Sequence, residues 1–304
     1  MPVFPITFSI PEEKICKDDC PKTKVLSSLI PGNLSTYIYR EEIDYYNEYK
    51  QSYFAITMKK AGWDCLRHYE ILANNCIPVF VNIENCPPNT MYLCPKDLFI
   101  EANNLFIQRF MNKQLNELTE DDINEYKKLQ KKLLDYTLNN LTTTKIAEYI
   151  LKTTNFSNVS KILYISGDTE PDYLRCLTLH GFKTLFKDKC HDYPKIPHIY
   201  KFDNYNYKRC YGWGMTYTNL LNNSLHDNNL DNNIIEQIKN KYYDIIIYGS
   251  YRRGGMPFYD IINNLYEPEK IILFDGMDDR IDEGCYNEFN EFKERGHNIF
   301  VREL

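Results

Sequence analysis

The sequence predicts an α/β protein of two Rossmann-like domains, with parallel sheets and helices on both faces. Short apolar runs typical of buried strands alternate with segments of helical periodicity, which favours parallel sheets with crossover helices. The same alternation starts again after a polar stretch at residues 153–160. A chain of 304 residues is also long enough to fill two cores. We therefore predict one domain at residues 1–155 and a second at residues 156–304.

In the first half, an irregular segment at residues 1–22 precedes the regular elements. Apolar runs predict strands, and apolar side chains spaced three or four apart predict helices. The predicted strands are residues 24–31, 53–57 and 77–81. The predicted helices are residues 35–50, 64–74, 100–112 and one long helix at 120–151, which contains neither Gly nor Pro.

The second half has the same order of elements, with a long polar loop at residues 204–233. Its predicted strands are residues 161–166, 183–186, 244–248, 270–274 and 298–301. Its predicted helices are residues 171–180, 258–265 and 286–295. Ligands of open parallel sheets bind outside the carboxyl ends of the strands, so the polar loops that follow these strands are candidate sites.

Composition and charge argue against several classes of partner. The net charge is −6 and the Lys and Arg residues are scattered, which argues against a nucleic-acid partner. No window approaches the ~20 apolar residues of a membrane span, and residues 1–11 lack the pattern of a secretory signal. Ten cysteines without such a signal indicate free thiols in a reducing compartment, so we expect a cytoplasmic protein.

The first polar loop of this kind, MKKAGWD, has the composition of a phosphate-binding loop. Lys59 and Lys60 could neutralise a diphosphate, and Gly62 allows a ligand to approach the backbone closely. The N–H groups at the start of the next helix form an anion site. Trp63 in this loop and Trp213 in a second Gly-flanked loop could stack on a sugar or base, or could be buried as loop anchors.

Arg67 and Glu70 lie three residues apart on the next predicted helix and therefore share one face. A carboxylate here could accept both hydroxyls of a ribose, while the guanidinium could pair with a phosphate. The same spacing also suits an ordinary ion pair on the surface. Spacing alone leaves both interpretations open.

The segment at residues 52–80 resembles the donor-binding segment of exostosin-like glycosyltransferases, which have the two-domain GT-B fold. The residues that match in order and spacing are Arg67, Glu70, Cys76, Ile77 and Pro78. The resemblance implies that Glu70 holds the ribose of a sugar nucleotide and that Arg67 lies near its diphosphate. It also implies that the loop at residues 87–95, which contains Thr90, faces the donor sugar.

This sequence departs from the exostosin pattern in two ways. Asn75 stands where the family usually has Gly, and the donor-like segment precedes the second domain instead of following it. Because the domain order is permuted, none of the family's catalytic residues is assigned to a position in this sequence. The resemblance implies metal-independent transfer of a sugar from a nucleoside-diphosphate sugar to a glycan or other hydroxyl acceptor, with no cofactor. The alternative is a catalytically inactive relative that binds a sugar, a nucleotide or a partner.

Strand ends in the second half supply the remaining candidates. Asp168 and Asp275 could act as the base that an inverting transfer needs, although Asp168 could instead cap the next helix. Arg252 and Arg253 could bind phosphate or an anionic acceptor, or could be exposed on a turn. The acidic cluster at residues 275–279 offers a further alternative, a metal-dependent transferase in which carboxylates bind a divalent ion.

Overall fold

The computed structural model describes residues 3–202, 204–279 and 287–304, and it shows an α/β protein with two parallel sheets flanked by helices. The strands are β1 (Val3–Pro5), β2 (Lys24–Leu26), β3 (Ser52–Thr57), β4 (Ile77–Phe80), β5 (Ile162–Ile165), β6 (Cys190–Tyr193), β7 (Ile245–Tyr248), β8 (Ile271–Asp275) and β9 (Asn298–Val301). The helices are α1 (Glu42–Lys50), α2 (Leu66–Ala73), α3 (Lys96–Arg109), α4 (Glu120–Asn140), α5 (Thr143–Thr153), α6 (Tyr173–Phe186), α7 (Asn228–Asn232), α8 (Ile234–Lys239), α9 (Tyr259–Leu265) and α10 (Asn287–Arg295). Tyr286, the predicted first residue of the last helix, lies outside the described residues.

Within the described residues, the larger sheet has six strands in the order β1-β9-β8-β7-β5-β6. Every neighbouring pair is parallel. All residues of β5, β7, β8 and β9 are buried, as expected for strands covered on both faces. From β5 the chain moves first to β6 on one side and then to β7 on the other. The carboxyl ends of β5 and β7 therefore flank a point where the strand order reverses, which is the usual ligand position in such sheets.

The smaller sheet has three parallel strands in the order β2-β3-β4. Phe54 of β3 packs at ring-centroid distances of 5.1 and 4.8 Å from Phe106 and Phe110, at the end of α3. Tyr126 of α4 packs on the same ring at 5.7 Å. These contacts anchor the sheet, so that α2, between β3 and β4, is held on a rigid support.

The larger sheet takes elements from both predicted domains. β1 pairs with β9, which places the first strand of the chain beside the last. α5 packs against α6 so closely that a Cβ at Gly181 would lie 2.1 Å from the carbonyl oxygen of Thr143. The division at residue 155 stays a prediction, but the strands of this sheet come from both sides of it.

Several predicted elements were wrong. The segment at residues 1–22 contains β1, and the helix predicted from residue 35 begins at Glu42, after a short 3-10 turn. The long helix is two helices, because the Thr142 hydroxyl caps α5 and residue 142 forms a β-bridge with Ile10. Among the described helices, none has the length and apolarity of a membrane-spanning segment.

The strand predicted at residues 183–186 is the last turn of α6, and the second strand of this half is β6. α6 is buried over Leu174 to Lys183, on all of its faces. The predicted helix ended at residue 180 because the following glycine is typical of a helix end. Gly181 instead lies inside α6, where the missing side chain lets α5 pack closely.

Candidate functional site

The carboxyl ends of the two sheets meet. Asp64, which follows β3, accepts a hydrogen bond of 2.6 Å from the backbone N–H of Phe8, which follows β1. Arg302, which follows β9, donates to the carbonyl oxygen of Asp64. Loops at the carboxyl ends of the two sheets therefore form one junction.

The chain's own carboxylate fills the anion site predicted in the loop MKKAGWD. Glu303 accepts hydrogen bonds of 3.0 Å from the N–H groups of both Trp63 and Asp64. A Cβ at Gly62 would lie 2.4 Å from a Glu303 oxygen, so the close approach to Gly62 is made by Glu303. Lys59 and Lys60 are exposed at the rim of this loop.

Thr90 is buried on the same side of the junction. Its hydroxyl donates a 2.8 Å hydrogen bond to the carbonyl oxygen of Leu304, next to Glu303. The structure thus brings Thr90, Gly62 and Trp63 together around residues 302–304, which no sequence pattern singled out. Only their position in the sequence could have identified them. Residues 302–304 directly follow a predicted buried strand, as the other candidate residues do.

Arg67 lies on the first turn of α2 and is only 8% exposed. Its Nη1 atom is buried and has no hydrogen-bond partner, and the same is true of the hydroxyl of Tyr37. The guanidinium lies 5.8 Å from the centre of the Tyr37 ring. In the described part of the chain, no carboxylate pairs with Arg67. Arg67 thus combines a buried charge with unused hydrogen-bonding capacity, and an unsatisfied hydroxyl belongs to the ring nearby.

Glu70 is buried, and hydroxyl groups take both of its carboxylate oxygens. Tyr45 donates at 2.7 Å and Thr216 donates at 2.6 Å, each to a different oxygen. Burial raises the pKa of Glu70, and these two hydrogen bonds offset part of the rise. The surface-pair interpretation of Arg67 and Glu70 is wrong, because both side chains are buried and they form no ion pair with each other in the described chain. Sequence reasoning missed the role of Thr216.

Thr216 belongs to a loop of the second half that adopts strained backbone conformations. Positive φ angles occur at Gly212 (59°), Trp213 (60°), Gly214 (70°) and Thr216 (76°). For a β-branched residue such as Thr216 this conformation is unfavourable and must be stabilised by its contacts. Its backbone N–H donates to Glu42 at 2.6 Å, and its hydroxyl lies 2.7 Å from the hydroxyl of Tyr46.

Tyr173 connects this loop to the Arg67 region. A Cβ at Gly212 would lie 2.5 Å from the Tyr173 hydroxyl, and the rings of Tyr173 and Tyr211 are 5.5 Å apart. Burial raises the pKa of Tyr173, and the negative charge of Glu70 raises it further. Aromatic side chains therefore extend from the buried Arg67 and Glu70 to the surface.

At the carboxyl edge of the larger sheet, the predicted candidates Asp168 and Arg253 each form an ion pair with a buried residue. Asp168 forms an ion pair of 2.8 Å with Arg175. It does not cap α6, because the N-cap is Asp172, whose carboxylate accepts from the N–H of Arg175 at 2.8 Å. Arg253 pairs with Asp172 at 3.0 Å. Of this group, Arg253 is the most exposed.

The acidic cluster at residues 275–279 is paired with arginines. Arg252 lies 3.3 Å from Asp275 and 2.9 Å from Asp279, while Asp278 pairs with Arg302. Burial raises the pKa of Asp275. Within residues 3–202, 204–279 and 287–304, no group of three or more His, Cys, Asp or Glu side chains is arranged to hold a metal ion.

Comparison with protein-family models, with curated proteins and with solved structures finds no match to this chain. The resemblance to exostosin-like glycosyltransferases therefore rests on the sequence motif alone.

Proposed function

We propose that the protein is a glycosyltransferase that uses a nucleoside-diphosphate sugar as donor and a glycan or other hydroxyl as acceptor. The observation that supports the proposal is the unpartnered Nη1 atom of buried Arg67. A buried guanidinium without an anion is costly, and a bound phosphate would remove that cost. The sequence motif that suggests a donor site includes this same residue.

A diphosphate suits the surroundings of Arg67 in three respects. The planar guanidinium binds phosphate oxygens through parallel hydrogen bonds. The Tyr37 hydroxyl, which also lacks a partner, could donate to the same group. Arg67 lies on the first turn of α2, where the helix dipole favours negative charge. In the proposed reaction, these groups stabilise the charge that develops on the departing diphosphate.

Glu70 would hold the ribose in this proposal, and Asp168 and Asp275 remain the candidate bases. Ribose binding requires that the hydroxyls of Thr216 and Tyr45 leave the Glu70 carboxylate, since they now take both of its oxygens. This occupancy favours a second candidate function, a catalytically inactive protein of the same fold that binds a sugar or nucleotide. Slow hydrolysis of the donor distinguishes the two, because a transferase releases some free sugar and an inactive binder releases none.

The test is a thermal-shift screen of the UDP, GDP, ADP and CDP nucleotides and their sugar derivatives, with EDTA and with added manganese. A ligand at about a hundred times its Kd should stabilise the protein by about 2.7 kcal/mol. We expect one nucleotide to stabilise the wild type in EDTA and to have no effect on Arg67→Met. Arg109→Met, which changes an arginine on the outer end of α3, is the matched control and should respond as the wild type does.

Two results would redirect the proposal. If no nucleotide stabilises the wild type, the donor site does not exist. If stabilisation occurs only with manganese and survives in Arg67→Met, the site lies at the carboxylates of residues 275–279 and the metal-dependent alternative holds.

A further inference from the structure

Two aromatic side chains in the loop that packs on Tyr173 are exposed to solvent. Tyr211 is 69% exposed and Trp213 is 44% exposed, whereas most aromatic residues of the described chain are buried or half-buried. Exposed apolar patches that are rimmed by polar groups mark interaction sites. The two rings are also close together in sequence, separated only by Gly212.

The backbone that carries these rings is held in a conformation that the sequence does not favour. Trp213 has a φ of 60°, a region that bulky residues rarely adopt. The conformation is stabilised on the buried side of the loop, where the hydroxyl of Thr216 donates to Glu70 and its backbone N–H donates to Glu42. Strained backbone that is supported in this way is common at binding sites. The loop presents its rings outward as a consequence.

The immediate surroundings favour a carbohydrate over a flat nucleobase. The guanidinium of Arg40 covers one face of the Trp213 ring at 4.3 Å, so a ligand can stack only on the opposite face of this ring. Arg40 donates to the carbonyl oxygens of Tyr37 and Tyr39 and retains further N–H donors that could bind sugar hydroxyls. This one-sided arrangement suits a pyranose, because its C–H face packs on a single aromatic face while its hydroxyls bind donors beside the ring.

We propose that Tyr211 and Trp213 form an aromatic platform that binds a pyranose ring of an oligosaccharide on the outer side of the proposed donor site at Arg67. That this oligosaccharide is the acceptor rests on the proposed function. The rings belong to the second half of the chain and Arg67 belongs to the first, so the platform and the proposed donor site come from different halves. Tyr173 lies between them, 5.5 Å from Tyr211 between ring centres.

The test is saturation-transfer NMR with maltotetraose, cellotetraose, mannotetraose and chitotetraose, and with uridine and guanosine as nucleobase probes. We compare the wild type with Trp213→Asn, because Asn tolerates a positive φ, and with Tyr211→Ser. Tyr242→Ser is the matched control. Tyr242 carries a lysine 3.8 Å from its ring, and it lies just before β7, at the amino ends of the strands and away from the site.

We expect transfer to the C–H protons of at least one oligosaccharide, and about a tenfold loss of affinity in Trp213→Asn and Tyr211→Ser but not in Tyr242→Ser. Nucleotide stabilisation should be unchanged in Trp213→Asn. The platform is refuted if no oligosaccharide receives saturation, if the two variants bind as the wild type does, or if the nucleosides alone bind there. If oligosaccharides bind but no nucleotide stabilises the protein, the platform stands and the proposed function fails.

Discussion

Buried arginines lie at the carboxyl edges of both sheets, but their hydrogen-bonding groups are used differently. Arg302, after β9, donates to the carbonyl oxygens of Asp64, Gly276 and Met277, and pairs with the carboxylates of Asp278 and Glu303. Arg67, at the edge of the smaller sheet, leaves Nη1 without any partner. Both residues are almost fully buried, so exposure does not explain the difference.

This contrast separates a structural cluster from a candidate ligand site. At the edge of the larger sheet, Arg302 is paired with Asp278 and Glu303 and joins the two sheets. Arg175 at the same edge is paired with Asp168, although its Nε atom has no hydrogen-bond partner in the described chain. At the edge of the smaller sheet, Arg67 forms no ion pair with a carboxylate of the described residues. Four sets of variants test this contrast, in order of decreasing expected effect.

Arg302→Met should lower the free energy of unfolding by about 3–5 kcal/mol, because Glu303 and Asp278 would lose their buried partner. Urea denaturation followed by circular dichroism measures the change. A loss below about 1 kcal/mol would mean that this cluster does not hold the sheets together, and the contrast with Arg67 would disappear.

Arg67→Met should have the opposite effect on the protein without ligand. Removal of a buried, unsatisfied donor should raise the free energy of unfolding by about 1–3 kcal/mol. The same urea experiment applies, and Arg67→Lys, which retains a charge, serves as the comparison variant. If Arg67→Met is destabilised instead, Arg67 is a structural residue and its role in ligand binding is contradicted.

Asp64 should make stability depend on pH. Burial raises its pKa from 3.8 to about 7, against the opposing effects of the Arg302 charge and the Phe8 N–H. The folded state therefore holds this proton more tightly, so the stabilisation is complete below the unfolded pKa and is lost as the pH rises through about 7. Asp64→Asn should flatten the fall in stability between about pH 4 and pH 7.

Three neighbours of Asp64 also titrate, so their contribution to the pH dependence of stability must be measured separately. Glu303, whose pKa is raised by burial, contributes a slope of the same sign, while Tyr69 and Cys94 ionise only at higher pH. Glu303→Gln should thus remove part of the remaining slope. An unchanged slope in both variants would show that the junction does not titrate in this range.

Arg253→Met should change stability least, by less than about 1 kcal/mol, since its side chain is 42% exposed and the ion pair with Asp172 is partly solvated. Asp172 would keep its hydrogen bonds to Ser250 and to the N–H of Arg175. If nucleotide stabilisation were also lost, Arg253 would belong to the phosphate site, contrary to the proposal.

Strands β5, β7, β8 and β9 were predictable because parallel sheets bury both faces, and residues 245–248 and 271–274, for example, are apolar without alternation. The fold class is confirmed for this reason. β6, with the polar sequence CHDY, was not predictable. β1 could not be found, because a strand of three residues carries no periodic signal and forms only by pairing with β9, almost 300 residues away. The break between α4 and α5 at residue 142 could not be predicted for a similar reason, because its β-bridge partner, Ile10, is distant in sequence.

The site was predictable only in part. Local pattern identified Arg67 and Glu70, because their spacing on one helix is visible in the sequence. The hydroxyls that engage Glu70 were not visible, since Thr216 is 146 residues away and belongs to a polar loop. Glu303 was missed as the anion at Trp63 for the same physical reason: the contact, 240 residues apart in sequence, depends on how the two sheets face each other.

Thr216 has a thermodynamic consequence for the binding of the two proposed ligands. Its hydroxyl holds Glu70, and its backbone continues into Trp213. A nucleotide that displaced this hydroxyl would release the positive φ of 76° and so change the set of conformations open to the aromatic rings. By linkage, an oligosaccharide on the rings would alter nucleotide affinity by the same factor as the nucleotide alters oligosaccharide affinity. A single threonine would then make the two ligands cooperative, with a coupling that Thr216→Ala abolishes.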